Sequence, residues 1–280
     1  MSSAAVPKTP AVPRLSASLI LLNPQNELLL VHRPAHSSTY PNSHVFPGGV
    51  VSSQDTPTPT TPLLETLKLC ALRETFEETG ILLTMTPPPS TLTPPLLAEA
   101  RKAIHNSTLT FPSFLQSYDL TPNTSALHPF TKWITPKTMF RRFESQIFVT
   151  FVDGKQVPSH DGEVEILSAK CLMPSRVLEM SKNGEMVLFP PQLYLITRIE
   201  EYLSGDNGGK KVLEIADGEF GAMVMEPHPI RVLDGGKRVV MGLGERGDKE
   251  WSVIIEVPGD GKKGEPKGAE LVRREDVAKL

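Results

Sequence analysis

Three glutamates stand close together in the stretch LCALRETFEETGILL, which covers residues 69–83. Glu74, Glu77 and Glu78 are separated by three and four residues, so a helix would place them on one side. Like charges at this spacing repel by about 0.2–0.5 kcal/mol per pair, and by more when they are partly buried. Mg²⁺ and Mn²⁺ prefer such oxygen ligands in proteins. The cluster therefore predicts a site for one of these divalent cations.

An exposed acidic helix face is the simpler alternative, because runs of charge are usually solvated. Against it, Leu63, Leu67 and Cys70 form an apolar stripe on the same side of the helix that the glutamates continue. Arg73 lies one turn before Glu77, where its guanidinium can pair with a carboxylate. The glutamates taken alone leave both interpretations open.

The helix that carries the glutamates is predicted from its end signals. It should begin at Pro62 with Thr61 as its N-cap, and Gly80 should end it. Two short strands, at about 15–22 and 27–33, precede it. They are followed by the stretch HVFPGGVV, in which a strand end meets a Gly-Gly turn. We therefore expect these strands and this helix to position the acidic cluster.

The spacing of these residues resembles the Nudix box, G-x5-E-x7-R-E-U-x-E-E-x-G-U, in which U is aliphatic. From Glu65 to Ile81 the sequence matches this pattern except at Thr75, where an aliphatic residue is usual. Gly49 departs from it, because fifteen residues separate it from Glu65 instead of five. We interpret the difference as a ten-residue insertion in the Pro/Thr-rich loop 52–62. Loop closure tolerates such an insertion when the ends are anchored.

The Nudix resemblance implies an α/β (α+β) fold, an α/β/α sandwich around a mixed sheet, that hydrolyses nucleoside diphosphates linked to another group. It also implies the roles of the site residues. Glu74 is our candidate for the general base, and Glu65 is expected to be structural or to support the metal ligands. The metal ligands would be Glu74, Glu77, Glu78 and the backbone of Gly48 or Gly49, with Arg73 orienting a glutamate and Glu74, Glu77 and Arg73 forming the catalytic set.

A narrower resemblance covers most of residues 15–200 and points to the peroxisomal coenzyme A diphosphatase branch of the Nudix hydrolases. It rests on HVFPGGVV, the long loop before the box, ALRETFEETGILL, the stretch from Trp133 through Arg141-Arg142-Phe143 into a strand, and FPPQLYLITRI. The resemblance implies cleavage of CoA or acyl-CoA to 3′,5′-ADP and (acyl-)4′-phosphopantetheine. Such a substrate needs cationic groups for its phosphates. The candidates are Arg33, Arg141 and Arg142.

The chain divides into segments of different composition. The predicted units are a disordered tail at 1–14, a Nudix domain at 15–204 with a helical insertion at 84–135, a β-rich extension at 205–270 and an exposed tail at 271–280. The motifs GGKK, DGGKR and GDGKK in the extension are interpreted as hairpin turns, because no Gly-Lys-Ser/Thr completes a phosphate-binding loop.

Charge and composition limit the kinds of partner that this chain can bind. The formal charge of -3 argues against nucleic acid as a partner. The presence of only two cysteines fits a reducing compartment. No apolar run is long enough to span a membrane. A small-molecule substrate is expected instead. The chain ends in Ala278-Lys279-Leu280, which is similar to the peroxisomal Ser-Lys-Leu signal. We therefore expect an import receptor as a partner and the peroxisomal matrix as the location, with the cytoplasm as the alternative.

Two other functions remain open from the sequence. The first is a Nudix enzyme for NADH or ADP-ribose, which ranks lower because the Ser-Gln-Pro-Trp-Pro-Phe-Pro run of NADH-cleaving relatives is absent. The second is a non-catalytic Nudix module that binds nucleotides. The intact glutamate set argues against it, because a retired site has no reason to keep charges that repel one another.

Overall fold

A computed structural model describes residues 10–37, 40–160, 165–205, 207–257 and 268–280. The strands are β1 (Arg14–Leu22), β2 (Leu28–His32), β3 (His44–Val45), β4 (Gly48–Val50), β5 (His128–Ile134), β6 (Phe143–Phe151), β7 (Ser168–Leu172), β8 (Val224–Met225), β9 (His228–Leu233), β10 (Arg238–Gly242), β11 (Trp251–Glu256) and β12 (Ala269–Arg273). The helices are α1 (Leu63–Thr79), α2 (Pro94–His105), α3 (Phe111–Ser117), α4 (Pro174–Lys182), α5 (Pro190–Leu203) and α6 (Gly208–Ala216).

A mixed sheet of eight strands forms the centre of the molecule. Its order is β3-β2-β1-β6-β5-β8, with β4 also paired to β1 and β7 to β2. β1 and β6 run parallel from the pair Arg14 and Phe143 to the pair Leu22 and Phe151. β5 is antiparallel to β6 and parallel to β8. The predicted mixed sheet is therefore confirmed.

Side chains that alternate along β1 separate two hydrophobic cores. Leu19 and Leu21 pack with α1 and with the helices α2 and α3. Ile20 and Leu22 belong to the core that includes α5 and α6. Because neighbouring residues of a strand point to opposite faces, one apolar strand supports both layers. Helices on both faces of the sheet confirm the predicted α/β/α sandwich.

A second sheet of four antiparallel strands, in the order β12-β11-β10-β9, follows the main domain. It packs on α5, where the buried Tyr194 Oη donates a hydrogen bond to Asp248 Oδ2 at 2.5 Å. The short strand β8 joins the main sheet beside β5. The extension therefore shares a hydrophobic core with the main domain.

Several predicted boundaries differ from the structure. The helix α1 begins one residue later than predicted, because Pro62 has ψ 143 and occupies the N-cap position expected for Thr61. Strand β5 lies inside the predicted helical insertion, so that the inserted helices end before His128. The GGKK motif at 208–211 begins helix α6 and is not a hairpin turn, because the apolar residues after it follow a helical period.

Other boundaries concern the chain ends. β12 extends to Arg273, so residues 271–273 form a strand within the predicted tail. DGGKR does form the turn between β9 and β10, whereas GDGKK lies outside the described residues. In the described ranges, no helix combines the length and apolar character needed to cross a membrane.

Candidate active site

The C-terminal half of α1 carries the acidic cluster and lies against β1 and β4. Gly80 ends the helix in the left-handed conformation, with φ 74, and its N–H donates to Phe76 O at 2.8 Å. This is the C-cap that the sequence predicts. It fixes the last turn of α1, on which Glu77 and Glu78 are placed.

Arg73 is the centre of the ion-pair network and is only 4% exposed. Its Nε and Nη2 donate to Asp55 Oδ1 and Oδ2 at 2.8 and 2.9 Å, which is a bidentate pair. Its Nη1 donates to Glu74 Oε1 at 2.8 Å and to Glu77 Oε1 at 2.9 Å. The predicted pairing between Arg73 and Glu77 is present, and Arg73 also orients Glu74.

Asp55, which the sequence interpretation did not single out, is the bidentate acidic partner of Arg73. Asp55 stands after five residues from Gly49, the spacing of the first acidic residue in the Nudix box. Glu65 is half-buried near the start of α1 and makes no hydrogen bond or ion pair with the described residues. The insertion therefore lies between Asp55 and α1, and Asp55, not Glu65, is the acidic residue that pairs with Arg73.

The loop that holds Asp55 is locally ordered, although its composition predicts no regular structure. Residues Ser53–Asp55 form a short 3-10 helix with Ser52 as its N-cap. Ser52 N donates to Asp55 Oδ2 at 2.8 Å, which completes a capping box. The Ser-Ser-Gln-Asp sequence is the signal that could have identified this residue. The capping box turns the Asp55 carboxylate toward Arg73.

Glu78 and Glu74 lie against the Gly48-Gly49 turn. Glu78 is 2% exposed, and its Oε2 accepts a hydrogen bond from Gly48 N at 3.0 Å. A Cβ atom on Gly49 would stand 2.4 Å from the carboxylate of Glu74, so only glycine leaves room for this side chain. The two glycines thus allow the carboxylates to approach the backbone closely.

Burial has a large effect on these carboxyl groups. It raises the pKa of Glu74 to about 7, against the opposing charge of Arg73 and with a contribution from Glu77. Burial also raises the pKa of Glu78 well above its usual value, and the charge of Glu74 adds to that effect. Both shifts show that negative charge is unfavourable here, and a divalent cation would reverse them.

The oxygen donors fit a divalent cation in type, but their present arrangement serves Arg73. Across the described ranges, no group of three or more His, Cys, Asp or Glu side chains is set in metal-binding geometry. Arg73 Nη1 bridges Glu74 and Glu77, so one oxygen of each carboxylate is directed to the guanidinium. Buried oxygen donors of high pKa are chemically suited to Mg²⁺ or Mn²⁺, which would require these side chains to converge further.

Arg101, on the inserted helix α2, holds the end of α1 and was not predicted as a site residue. Its Nε and Nη2 donate to Glu77 O at 3.1 Å and Glu78 O at 2.7 Å, the carbonyls left without partners at a helix end. Its Nη1 donates to Ser159 Oγ at 2.9 Å. The buried guanidinium of Arg101 thus connects α2, the last turn of α1 and the loop that contains Ser159.

A cavity of about 450 Å³ opens beside the acidic cluster. Glu74 and Glu78 line it at Gly48 and Gly49, and Glu165 contributes a third carboxylate. Glu77 and Arg73 are not in the lining, because they face each other. Aromatic and proline side chains form much of the remaining wall, namely Tyr40, Phe46, Trp133, Phe143, Phe189, Pro190 and Pro191. The cavity combines charged groups with apolar walls, as ligand sites do.

The three predicted arginines are separated by the fold. Arg33 and Arg141 line the cavity. Arg142 does not, because its guanidinium donates to Thr135 O at 3.0 Å and Ala11 O at 2.9 Å in a buried position. These buried hydrogen bonds hold the Arg142 guanidinium away from the cavity that Arg141 lines. Arg14, which the sequence interpretation omitted, also lines it.

The last residues form a surface turn. Residues Arg274–Lys279 are a 3-10 helix, in which Lys279 Nζ pairs with Asp276. Leu280 is 48% exposed, and Ala278 lies in the same turn before Lys279. The predicted signal residues are therefore placed at the surface, away from the cavity lining.

Comparisons with known proteins identify relatives of this chain. Residues 59–199 match a family described as the NUDT19 Nudix domain. The chain is 27% identical over 230 residues to the human acyl-coenzyme A diphosphatase NUDT19, which covers 63% of the chain and 61% of the relative. It is 28% identical over 195 residues to putative nudix hydrolase 7 of Caenorhabditis elegans, with 69% and 62% covered. The chain therefore spans less than two thirds of these relatives' length.

Solved structures show a similar fold. A Nudix hydrolase from Alicyclobacillus acidocaldarius superimposes with a TM-score of 0.58 at 22% identity. The match covers 67% of this chain and 90% of that structure. At this identity the likeness supports the fold alone.

Proposed function

Because the chain belongs to the NUDT19 Nudix domain family, we propose that it is a metal-dependent diphosphatase acting on CoA or acyl-CoA. The products would be 3′,5′-ADP and (acyl-)4′-phosphopantetheine. The observation that carries the proposal is the buried network of Arg73, Asp55 and the glutamates of α1 beside a cavity. The name of the human relative supplies the substrate class.

The carboxylates Glu74, Glu77 and Glu78, together with the backbone of Gly48, would hold Mg²⁺ or Mn²⁺. When bound, the cation offsets the charge of the diphosphate and polarises a phosphoryl oxygen. Asp55 holds Arg73, and Arg73 sets the rotamers of Glu74 and Glu77.

Glu74 is our candidate for the group that accepts the proton of the attacking water. It lines the cavity, and burial raises its pKa to about 7, so that a carboxylate at this position is a stronger base than usual. Arg33 and Arg141, which line the same cavity, are the candidates for contacts with substrate phosphates.

A product assay tests the proposal. Purified protein is incubated with CoA, short- and long-chain acyl-CoA, NADH or ADP-ribose, each with Mg²⁺ or Mn²⁺, and the products are separated by chromatography. Release of 3′,5′-ADP from CoA or acyl-CoA is expected, with little cleavage of NADH and ADP-ribose. Faster cleavage of NADH or ADP-ribose would instead favour the second enzyme class, and no cleavage of any substrate would favour a nucleotide-binding module.

The peroxisomal matrix is the proposed location, with an import receptor that reads Ala278-Lys279-Leu280. Exposure of Leu280 supports this. Residues 268–280 can be fused to the end of a fluorescent protein and expressed in cells with marked peroxisomes. We expect punctate co-localisation, and a matched fusion that lacks Leu280 should stay diffuse. Equal diffuse distribution of both fusions would contradict the proposal.

A further inference from the structure

The cavity beside the acidic cluster has charges of opposite sign at different places along its length. Its charged lining residues in the described part of the chain are Glu74, Glu78, Glu165, Arg14, Arg33 and Arg141. Glu78 contacts Gly48, and Glu74 contacts Gly49. Arg33 and Glu165 are close enough to Glu78 to affect its ionisation. These groups define the acidic end of the cavity.

The position of Arg14 and Arg141 follows from strand register. Ser18 of β1 pairs with Gly48, which places Ser18 at the acidic end. Arg14 lies four residues before it, and so about 13 Å along the strand at 3.3 Å per residue. Arg14 pairs with Phe143 of the parallel neighbour β6. The two arginine-bearing ends of β1 and β6 therefore meet away from the carboxylates.

Side-chain alternation brings Arg14 to the cavity. Residues 14, 16 and 18 of β1 line it, as do residues 143, 145 and 147 of β6. Arg141 lies in the bend two residues before β6, and it lines the cavity too. Arg14 N donates to Arg142 O at 2.9 Å, which ties the start of β1 to the residue next to Arg141. Two guanidinium-bearing residues are thus held at one mouth of the cavity.

Arg14 and Arg142 differ in the partners of their guanidinium groups. Within the ranges that the structure describes, its side chain makes no hydrogen bond or ion pair, and it is exposed. In contrast, Arg142 is buried and donates to two backbone carbonyls. A guanidinium on a cavity wall, with no acidic lining residue from its own strand, suits a phosphate oxygen.

We propose that Arg14 and Arg141 form a subsite for a phosphate monoester separate from the diphosphate that is cleaved. The inference rests on the proposed function, because CoA carries such a group on its ribose, the 3′-phosphate, as well as its diphosphate. The diphosphate is bound at the acidic end with its cation, and the second phosphate is bound at the arginine end. This subsite selects CoA over nucleotides that lack the second phosphate.

Binding of the product fragment tests the subsite without turnover. Calorimetry compares 3′,5′-ADP with 5′-AMP, which differ by the phosphate in question. We expect 3′,5′-ADP to bind at least about 10-fold more tightly, since a hydrogen-bonded charge pair contributes about 1.5–3 kcal/mol, and about 1.4 kcal/mol is tenfold. Arg14→Gln and Arg141→Gln should each remove most of this preference, while leaving the affinity for 5′-AMP nearly unchanged.

Control variants separate the effect of losing a charge from the effect of misfolding. Arg14→Lys keeps the charge and should retain part of the preference, and Arg176→Gln removes an exposed arginine on α4 outside the cavity lining and should have no effect. Thermal unfolding confirms that each variant is folded. Equal affinity of the wild-type protein for both nucleotides, absence of binding, or an unchanged preference in both Gln variants would overturn the subsite.

Turnover distinguishes failure of the subsite from failure of the proposed function. The ratio of kcat/KM for CoA to that for 3′-dephospho-CoA should be at least about 10 in the wild-type protein and fall toward 1 in Arg14→Gln. Equal cleavage of both substrates would overturn the subsite and leave the diphosphatase proposal standing. Cleavage of neither, with the binding preference intact, would reject the diphosphatase proposal and support the subsite.

Discussion

At the scale of single residues, burial and mutual repulsion make ionisation of Glu74 and Glu78 unfavourable, and the proposed cation site would offset this cost. Glu77 pairs with Arg73 at 2.9 Å, so it can serve as a ligand only if it keeps a second oxygen available. Glu77→Gln removes its charge with little change of shape. We expect CoA cleavage to fall by about 100-fold or more, as for loss of a group that stabilises developing charge.

The assay for this variant uses the release of 3′,5′-ADP at saturating Mg²⁺. Glu99→Gln is the matched control, because Glu99 is an exposed glutamate on α2 outside the cavity lining. Unchanged activity of Glu77→Gln would show that α1 does not hold the catalytic metal.

The raised pKa of Glu74 predicts how stability depends on pH. Its pKa is about 7 in the folded protein and 4.5 in its ordinary state, so the folded state binds more protons between these values. Stability from this group is fully present below pH 4.5 and is lost as the pH rises through 7. The metal-free protein should therefore become less stable from pH 5 to pH 8, and Glu78 acts in the same direction.

Denaturant unfolding at several pH values, with EDTA or with Mg²⁺, measures this dependence. Mg²⁺ should offset the loss at high pH because it binds the ionised carboxylates. Glu74→Gln should flatten the pH dependence of the metal-free protein. A metal-free protein whose stability rises between pH 5 and pH 8, with no change in Glu74→Gln, would contradict the assignment.

Asp55 and Glu65 offer a direct comparison of two acidic residues. Asp55→Asn leaves the buried Arg73 without its bidentate partner, so we expect a loss of about 2–4 kcal/mol of stability. Activity should fall as well, because Arg73 would no longer be held for Glu74 and Glu77. Glu65→Gln should change stability by less than about 0.5 kcal/mol. Chemical unfolding and the product assay would show the reverse order if Glu65 were the residue of the box.

At the scale of secondary-structure elements, the insertion supports the end of α1 through one side chain. Arg101 of α2 donates to the last carbonyls of α1 and to Ser159. Arg101→Met should leave these acceptors without a partner and cost about 1–3 kcal/mol. The substitution should also lower kcat more than it raises KM, because Glu77 and Glu78 lie on the last turn of α1, which Arg101 holds.

The neighbouring substitution Lys102→Met is the control for this experiment, since Lys102 is exposed on the same helix. Arg101→Lys should restore part of kcat, because an ammonium can still donate to one carbonyl. If Arg101→Met reduced stability with kcat unchanged, Arg101 would have a structural role only.

At the scale of the whole molecule, the C-terminal sheet is tied to the main domain through α5. Tyr194 is fully buried, and its hydroxyl donates to Asp248, whose other oxygen accepts from Glu250 N at 2.7 Å. Tyr194→Phe leaves a buried carboxylate oxygen without this donor, so we expect a loss of about 1–3 kcal/mol in a single cooperative unfolding transition. Tyr118→Phe, on the insertion, should have little effect. Two separate transitions in the wild-type protein would indicate that the extension folds independently.

Much of the molecule could be predicted from local sequence. The spacing of the glutamates identified the Nudix helix, Gly80 marked its end, and the resemblance to Nudix hydrolases with its α/β/α sandwich is confirmed. Strand β5 was missed because it lies within the segment 84–135 that was interpreted as a helical insertion, and α6 was missed because Gly208 and Gly209 precede its apolar residues. These errors arise where composition opposes the structure that tertiary packing stabilises.

The placement of the three glutamates on one side of a helix, and the prediction that they hold a cation, come from the sequence, because helical periodicity is a local property. Other features depend on contacts between residues far apart in the chain. These contacts decide that Asp55 pairs with Arg73, that Arg142 lies outside the cavity and that Arg14 lines it. Asp55 reaches Arg73 across a loop, and strand register places Arg14 beside the residues around Arg141. Only the tertiary structure decides these pairings, because they require segments that are distant in sequence to be packed against one another.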